Sequence, residues 1–115
     1  MRTRYRTKYG NRKTELDGMT FDSRKEANRY AELKLLQKSG WISDLEMQKP
    51  FELQPAFKHG GKKIQPIKYI ADFAYLCDGK TVVEDVKSPA TRKDKVYQLK
   101  KKMMLYVHGI EIKEI

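Results

Sequence analysis

The chain has 115 residues, with 25 Lys and Arg against 15 Asp and Glu, for a net charge of +10. A chain of that length supports one core, burying roughly 65% of its unfolded surface. No apolar run approaches the roughly 20 residues of a membrane span, and the basic N-terminus lacks the apolar stretch of a signal peptide. The lone Cys77 excludes an internal disulfide and fits a reducing cytoplasm, while His59 and His108 lie too far apart for a zinc finger. The composition therefore predicts a small basic protein whose partner is nucleic acid.

Residues 1–14 read as a basic arm and residues 15–115 as the folded domain. Arg2, Arg4, Arg6, Lys8, Arg12 and Lys13 occupy the arm with no acid among them, and Tyr5 and Tyr9 are interleaved. That pattern predicts contact with phosphates, the alternative being a solvated terminus. Leu16-Asp17-Gly18-Met19 predicts a hairpin, because Asp-Gly supplies the positive φ that tight two-residue turns require. Ser23-x-x-Glu26 is a capping box opening a helix to about Ser39, with Gly40 placed to stop it. Glu26, Tyr30 and Leu33 fall on one face of that helix, so the acid heads the stripe that should pack inward.

From Trp41 to Phe57 the pattern is extended, with Pro50 and Pro55 expected to limit pairing. Lys58 to Lys62, containing Gly60-Gly61, reads as a turn. His59 there reads as solvated, with a phosphate contact as the alternative. Ile67–Leu76 and Thr81–Lys87 predict two strong strands about a tight Asp78-Gly79 turn, and Ser88 to Thr91 breaks the pattern. Val96, Leu99, Met103 and Tyr106 recur at helical spacing and predict an amphipathic helix with its lysines in water. Arg92, Lys93, Lys95, Lys100, Lys101 and Lys102 make this the second basic cluster, and Gly109 ends the helix before a final strand at Ile110–Ile115. Gly79-Lys80-Thr81 is no phosphate loop, since a strand stands where the glycine-rich stretch should be.

The residues with chemical interest lie on the two strong strands. A two-residue turn at Asp78-Gly79 pairs Cys77 with Lys80, and the same register carries Ala74 to Val83 and Asp72 to Asp85. Like charges directly opposite on a sheet destabilise it, with Cβ atoms about 4.5–5.5 Å apart. Such an arrangement calls for a cation. Lys87, on the same face about 6.6 Å beyond Asp85, offsets one charge. A hard divalent ion, Mg²⁺ or Mn²⁺, would offset the rest. The plainer alternative places both carboxylates in water at strand ends, where exposed charges are nearly neutral. Glu84 alternates to the other face and is expected at the surface or in support of the site. Glu26 has its helix cap as a sufficient role, compatible with a second role in a site.

Pro66-Ile67 with Asp72, followed by Glu84-Asp85-Val86-Lys87, resembles the PD-(D/E)XK motif of a large nuclease superfamily. Phe21 to Ala27, Tyr69 to Phe73 and Val82 to Ser88 together look like a family of small phage proteins within it, related to Holliday-junction resolvases and transposase nuclease subunits. The resemblance covers residues from about Tyr9 to the C-terminus. Pro66 is not adjacent to Asp72 as the motif's name would have it, and Tyr97-Gln98 replaces the Gln-x-x-x-Tyr spacing of one branch.

The resemblance implies an α/β (α+β) fold with a mixed sheet, a restriction-endonuclease-like αβββαβ core in a single domain. It also implies a metal-dependent DNA endonuclease in which Asp72, Asp85, Glu26 and the Val86 backbone carbonyl hold Mg²⁺, or Mn²⁺ in its place, and Lys87 is catalytic. Double-stranded or branched DNA would be the substrate, processed in phage DNA metabolism and recombination. The alternative is a non-catalytic nucleic-acid-binding protein that keeps the fold. Junction resolution would need two sites and so a homodimer, whereas nicking needs one.

Overall fold

A computed structural model of the chain describes residues 13–115, which form an α+β structure with a mixed sheet. The chain divides into two compact units, residues 1–41 and 42–115. No helix among the described residues is long and apolar enough to cross a membrane. The five arginines and lysines from Arg2 to Arg12 lie outside the described residues, and Lys13 is exposed.

In the first unit, β1 (Thr14–Leu16) and β2 (Met19–Phe21) form the expected hairpin, with Leu16 opposite Met19. Asp17 and Gly18 have φ of 52° and 75°, the left-handed pair of a type I′ turn. Helix α1 (Arg24–Lys38) begins where the capping box predicts, with the Ser23 hydroxyl accepting the Glu26 amide at 3.1 Å. Its buried residues are Glu26, Ala27, Tyr30 and Leu33, so the expected stripe is the inward one. Phe21 packs on Tyr30 at 5.1 Å between ring centroids, and the Tyr30 hydroxyl donates to Asp17 Oδ2 at 3.1 Å, tying helix to hairpin.

The second unit is built on β3 (Ser43–Gln54), β6 (Ile67–Cys77), β7 (Lys80–Asp85) and β8 (Lys113–Glu114), in that order across one sheet. The first three are antiparallel and β8 runs parallel to β7. Pro50 does not interrupt pairing as expected: it sits opposite Ile70 in a long ladder. Because β3 is an edge strand, one row of its amides has no partner strand, and there a proline is tolerated. Between β3 and β6 stands a separate ribbon of β4 (Phe57–His59) and β5 (Lys62–Ile64), where a turn alone was expected. Ser88 caps a short helix α2 (Pro89–Arg92), also unforeseen, with proline in its first turn as helix starts favour.

Helix α3 (Lys95–Met103), continued by a π-helical turn over Met104–His108 and ended at Gly109, overturns one expectation. Val96, Leu99 and Tyr106 do not face the core; they are 61%, 56% and 91% exposed. The side toward the core is instead Tyr97 and Met104, with Lys101 and Met103 half-buried beside them, while His108 stays exposed. Tyr97 and Met104 pack with Leu53, Tyr69, Ala71, Ala74, Val83 and Ile112 to form the core of this unit. The polar ends on this part of the helix each meet a specific partner: the Tyr97 hydroxyl and the Lys101 ammonium meet Glu114, and His108 Nε2 meets the Glu52 carbonyl oxygen at 2.7 Å. Counting apolar residues misses such a face, because amphipathic side chains cover a core while their heads find partners elsewhere.

The reassigned face makes a direct prediction. Met104→Ala, at a position with no exposure, should cost about 2–5 kcal/mol in urea unfolding. Leu99→Ala, on the face that hydropathy would have buried, should cost under about 1 kcal/mol. Equal losses would restore the original assignment.

Candidate functional site

The Asp78-Gly79 turn, with φ of 52° and 74°, sets the β6–β7 register at Cys77 opposite Lys80 and carries it to Phe73 opposite Glu84. One step further, ordinary ladder pairing stops and the two carboxylates take over. Asp85 Oδ1 accepts the Asp72 amide at 2.8 Å, and Asp72 Oδ2 accepts the Val86 amide at 2.9 Å. The acids that the register sets against each other are thus each anchored on the other's strand. A carboxylate bound to a backbone N–H is a charge-assisted bond, which offsets part of their mutual repulsion.

The other edge of β7 is held as tightly. Asp85 pairs with Glu114 of β8, the Ile115 amide donates to the Asp85 carbonyl oxygen at 2.8 Å, and the Lys87 amide reaches the Ile115 carbonyl oxygen at 3.5 Å. The Asp85-Val86-Lys87 backbone therefore lies between Asp72 and the C-terminal residues. The strand expected over Ile110–Ile115 contracts to Lys113–Glu114.

Asp85 has no solvent exposure, and its Oδ2 is buried with no hydrogen-bond partner among the described residues. Burial raises its pKa from the ordinary 3.8 to about 6; the Asp72 amide and the Lys87 charge pull it down, and Glu114 pushes it up. The alternative of solvated strand-end carboxylates therefore does not hold for Asp85, while Asp72 is half-buried. Gln48, from the neighbouring β3, donates to Asp72 Oδ1 at 3.3 Å and has φ of 52°, a left-handed conformation uncommon for a residue with a side chain.

Lys87 places its ammonium 4.5 Å from the centroid of the Tyr97 ring, a cation–π contact. Among the described residues it makes no ion pair within 4 Å, so its charge reaches Asp85 through space. Tyr97 is oriented by its hydroxyl, which donates to Glu114 Oε2 at 2.6 Å; that bond chiefly lowers the Glu114 pKa, and burial together with the bond raises that of Tyr97. Lys101 at 3.1 Å and Arg92 at 3.7 Å also pair with Glu114. Two of the six cations expected to face nucleic acid from this segment are thus engaged by an acid; Lys93, Lys95 and Lys102 are exposed and Lys100 is half-buried.

The second unit accordingly brings together Asp72, Asp85, Val86 and Lys87. Glu26, the remaining candidate, is a buried residue of α1 in the first unit. Glu84 is fully buried, not at the surface, and accepts the Tyr75 hydroxyl at 2.5 Å. Gln48, Tyr97 and Glu114 were missed. No local signal marks Gln48 or Glu114, because each meets the site across a pairing whose partner is remote in sequence. Tyr97 was visible as a neighbour of the expected helix stripe and in the Tyr97-Gln98 pair, but neither assigned it a contact with Lys87.

The donor set is all oxygen, and a buried carboxylate oxygen with no hydrogen bond among the described residues suits a hard cation such as Mg²⁺. Among the described residues no three His, Cys, Asp or Glu converge on one point to hold a metal. A Mg²⁺ ion needs only one or two carboxylates when water and substrate phosphate complete its shell, so Asp72 and Asp85 fit that role. Asp85 Oδ2 would be the free ligand atom.

The raised Asp85 pKa fixes the sign of a stability effect. Folded Asp85 binds its proton more tightly than the unfolded chain does, so its contribution is complete below about pH 4 and is lost as pH rises through about 6. Asp85→Asn lacks that loss. Relative to the parent, it should therefore gain on the order of 2–3 kcal/mol between pH 4 and pH 7.5 in metal-free urea titrations. A difference that stays flat across this range would show that burial does not govern the Asp85 charge.

No curated protein and no solved structure matches the chain. One family profile does, over residues 6–113, and its description is a protein of unknown function. By that match, which spans nearly the whole sequence, the chain belongs to the DUF1064 family.

Proposed function

We propose that this protein is a divalent-metal-dependent endonuclease that hydrolyses DNA phosphodiester bonds. The observation that carries the reading is the buried Oδ2 of Asp85, which has no hydrogen-bond partner among the described residues and lies beside Asp72 and within the field of Lys87. A fold does not retain a desolvated carboxylate oxygen for stability, since leaving it unpaired costs about 1–3 kcal/mol or more. Supporting this are the +10 charge of the chain and the resemblance of the Asp72…Asp85-Val86-Lys87 pattern to the PD-(D/E)XK nucleases.

Asp72 and Asp85 would hold Mg²⁺, with the Val86 carbonyl as a further candidate. When bound, the ion would act as a Lewis acid on the scissile phosphate and make its bound water acidic. The residues of the chain supply the rest. The crossed amide bonds of Asp72 and Asp85 hold both carboxylates in fixed orientation, so little reorganisation is left for the reaction. Lys87, steadied on the Tyr97 face, offsets charge that builds on the phosphate oxygens and orients the attacking water. Asp72, Asp85 and Lys87 together leave one negative charge, which a divalent ion offsets. Without the ion, this acidic patch would repel the phosphates that the basic surface attracts.

Supercoiled plasmid incubated with the protein and Mg²⁺ should convert to open-circle or linear DNA, and EDTA should stop the conversion. Asp85→Ala and Asp72→Ala should abolish it, and Lys87→Ala should slow it about 10²–10³-fold. A four-way junction substrate, with the molar mass in solution measured alongside, separates junction resolution from nicking. Binding with no cleavage in Mg²⁺ or Mn²⁺ on any of these substrates would leave the non-catalytic binder as the correct reading.

A further inference from the structure

The β4–β5 ribbon belongs to neither the core nor the candidate site. It pairs with neither edge of the four-stranded sheet, and all six of its residues are exposed. Isolated two-stranded ribbons are marginal in water, and this one is loaded against itself. Lys58 lies directly opposite Lys63, and His59 directly opposite Lys62. The like charges of Lys58 and Lys63, so placed, destabilise a strand pair. No acid occurs between Glu52 and Asp72, and among the described residues none of the four side chains is in an ion pair or hydrogen bond. Phe57 and Ile64, paired at the base, are 47% and 37% exposed, although they are the ribbon's only large apolar residues. At the tip, Gly60 and Gly61 have φ of 58° and 77°, with no atom within 4 Å of where a Cβ would stand.

Among the described residues these features have no structural return. They acquire one against a polyanion. We propose that the β4–β5 ribbon is a binding element that enters the major groove of duplex DNA, an inference that rests on the nucleic-acid reading above. The dimensions agree: three residues and a tight tip reach about 10 Å, against a groove about 8.5 Å deep. Two strands about 4.8 Å apart, with side chains, fit a groove about 12 Å wide but not a minor groove about 6 Å wide. Alternation puts Lys58 and Lys63 on one face and His59 and Lys62 on the other, so cations point toward both groove walls. The glycine tip presents bare backbone to the floor of the groove. The major groove of A-form RNA is too deep and narrow to admit such an element, so the ribbon should distinguish DNA from RNA duplexes.

The test is fluorescence anisotropy with the full chain in EDTA, using a labelled DNA duplex and the RNA duplex of the same sequence, over a series of salt concentrations. A Lys62→Ala/Lys63→Ala variant should bind the DNA duplex at least tenfold more weakly. Its log–log salt slope should fall by up to about 1.8, or about 0.9 for each phosphate that is no longer neutralised. Binding to the RNA duplex should change much less. A Lys34→Ala/Lys38→Ala variant, which removes equal charge from exposed positions of α1, should lose less on DNA. Thermal melting should show the ribbon variant as stable as the parent or more so, since its cross-strand repulsion is relieved. Unchanged DNA binding and slope, or equal losses on DNA and RNA, would overturn the ribbon's role alone. If the parent chain binds no duplex at any salt, the nucleic-acid reading falls with it.

Discussion

Two backbone amides decide how this sheet carries its charge. At the end of the β6–β7 ladder, Asp72 and Asp85 each accept an amide from the opposite strand, and through those bonds two carboxylates that should repel are fixed side by side. Everything around them adjusts to that exchange. The C-terminal residues close on the far side of β7, Gln48 takes the remaining Asp72 oxygen, and Lys87 settles on the face of Tyr97. The one oxygen left over is Asp85 Oδ2. Its desolvation raises the Asp85 pKa and leaves it the atom best placed to meet a hard cation.

The charge of the molecule is arranged in layers around that point. Glu114 gathers the Tyr97 hydroxyl, Lys101 and Arg92, so part of the second basic cluster serves to brace the site. The cations left free of acid partners include those of the β4–β5 ribbon, which stands apart from the sheet. A net charge of +10 therefore describes two different things. Some of the positive charge is spent internally on holding an acidic centre, and the rest is displayed.

Helix α3 shows what such bracing requires of a sequence. Its core-facing side is set by residues with polar ends that reach acceptors on β8 and β3, and of the expected row only Met103 packs against the core while Val96, Leu99 and Tyr106 stay outside. The π-helical turn over Met104–His108 widens the helix where Met104 enters the core and His108 reaches the Glu52 carbonyl. Such turns often accompany functional sites, and here it lies on the same inward face as Tyr97, which supports Lys87.

Much of this was legible in the sequence because it is local. Two Asp-Gly turns with positive φ at both residues dictated two of the three hairpins. One of them set the register that opposes Asp72 and Asp85, since a two-residue loop leaves no freedom in pairing. The Ser23 cap and the Glu26, Tyr30, Leu33 stripe were likewise readable, because capping and helical period act within a turn or two. Long-range pairing was not readable. The contact of Gln48 with Asp72, the parallel alignment of Glu114 with Asp85, the toleration of Pro50 on an edge and the exchange of one helix face for its neighbour all depend on which distant segments meet. Hydropathy places a side chain by its apolar area, whereas the folded chain placed Tyr97, Lys101, His108 and Glu84 by whether a partner waited for each polar end. The sequence alone determined that two acids and a lysine would share the end of a hairpin. Only the tertiary structure decided which oxygen was left without a partner, because that depends on every neighbour that arrives from elsewhere in the chain.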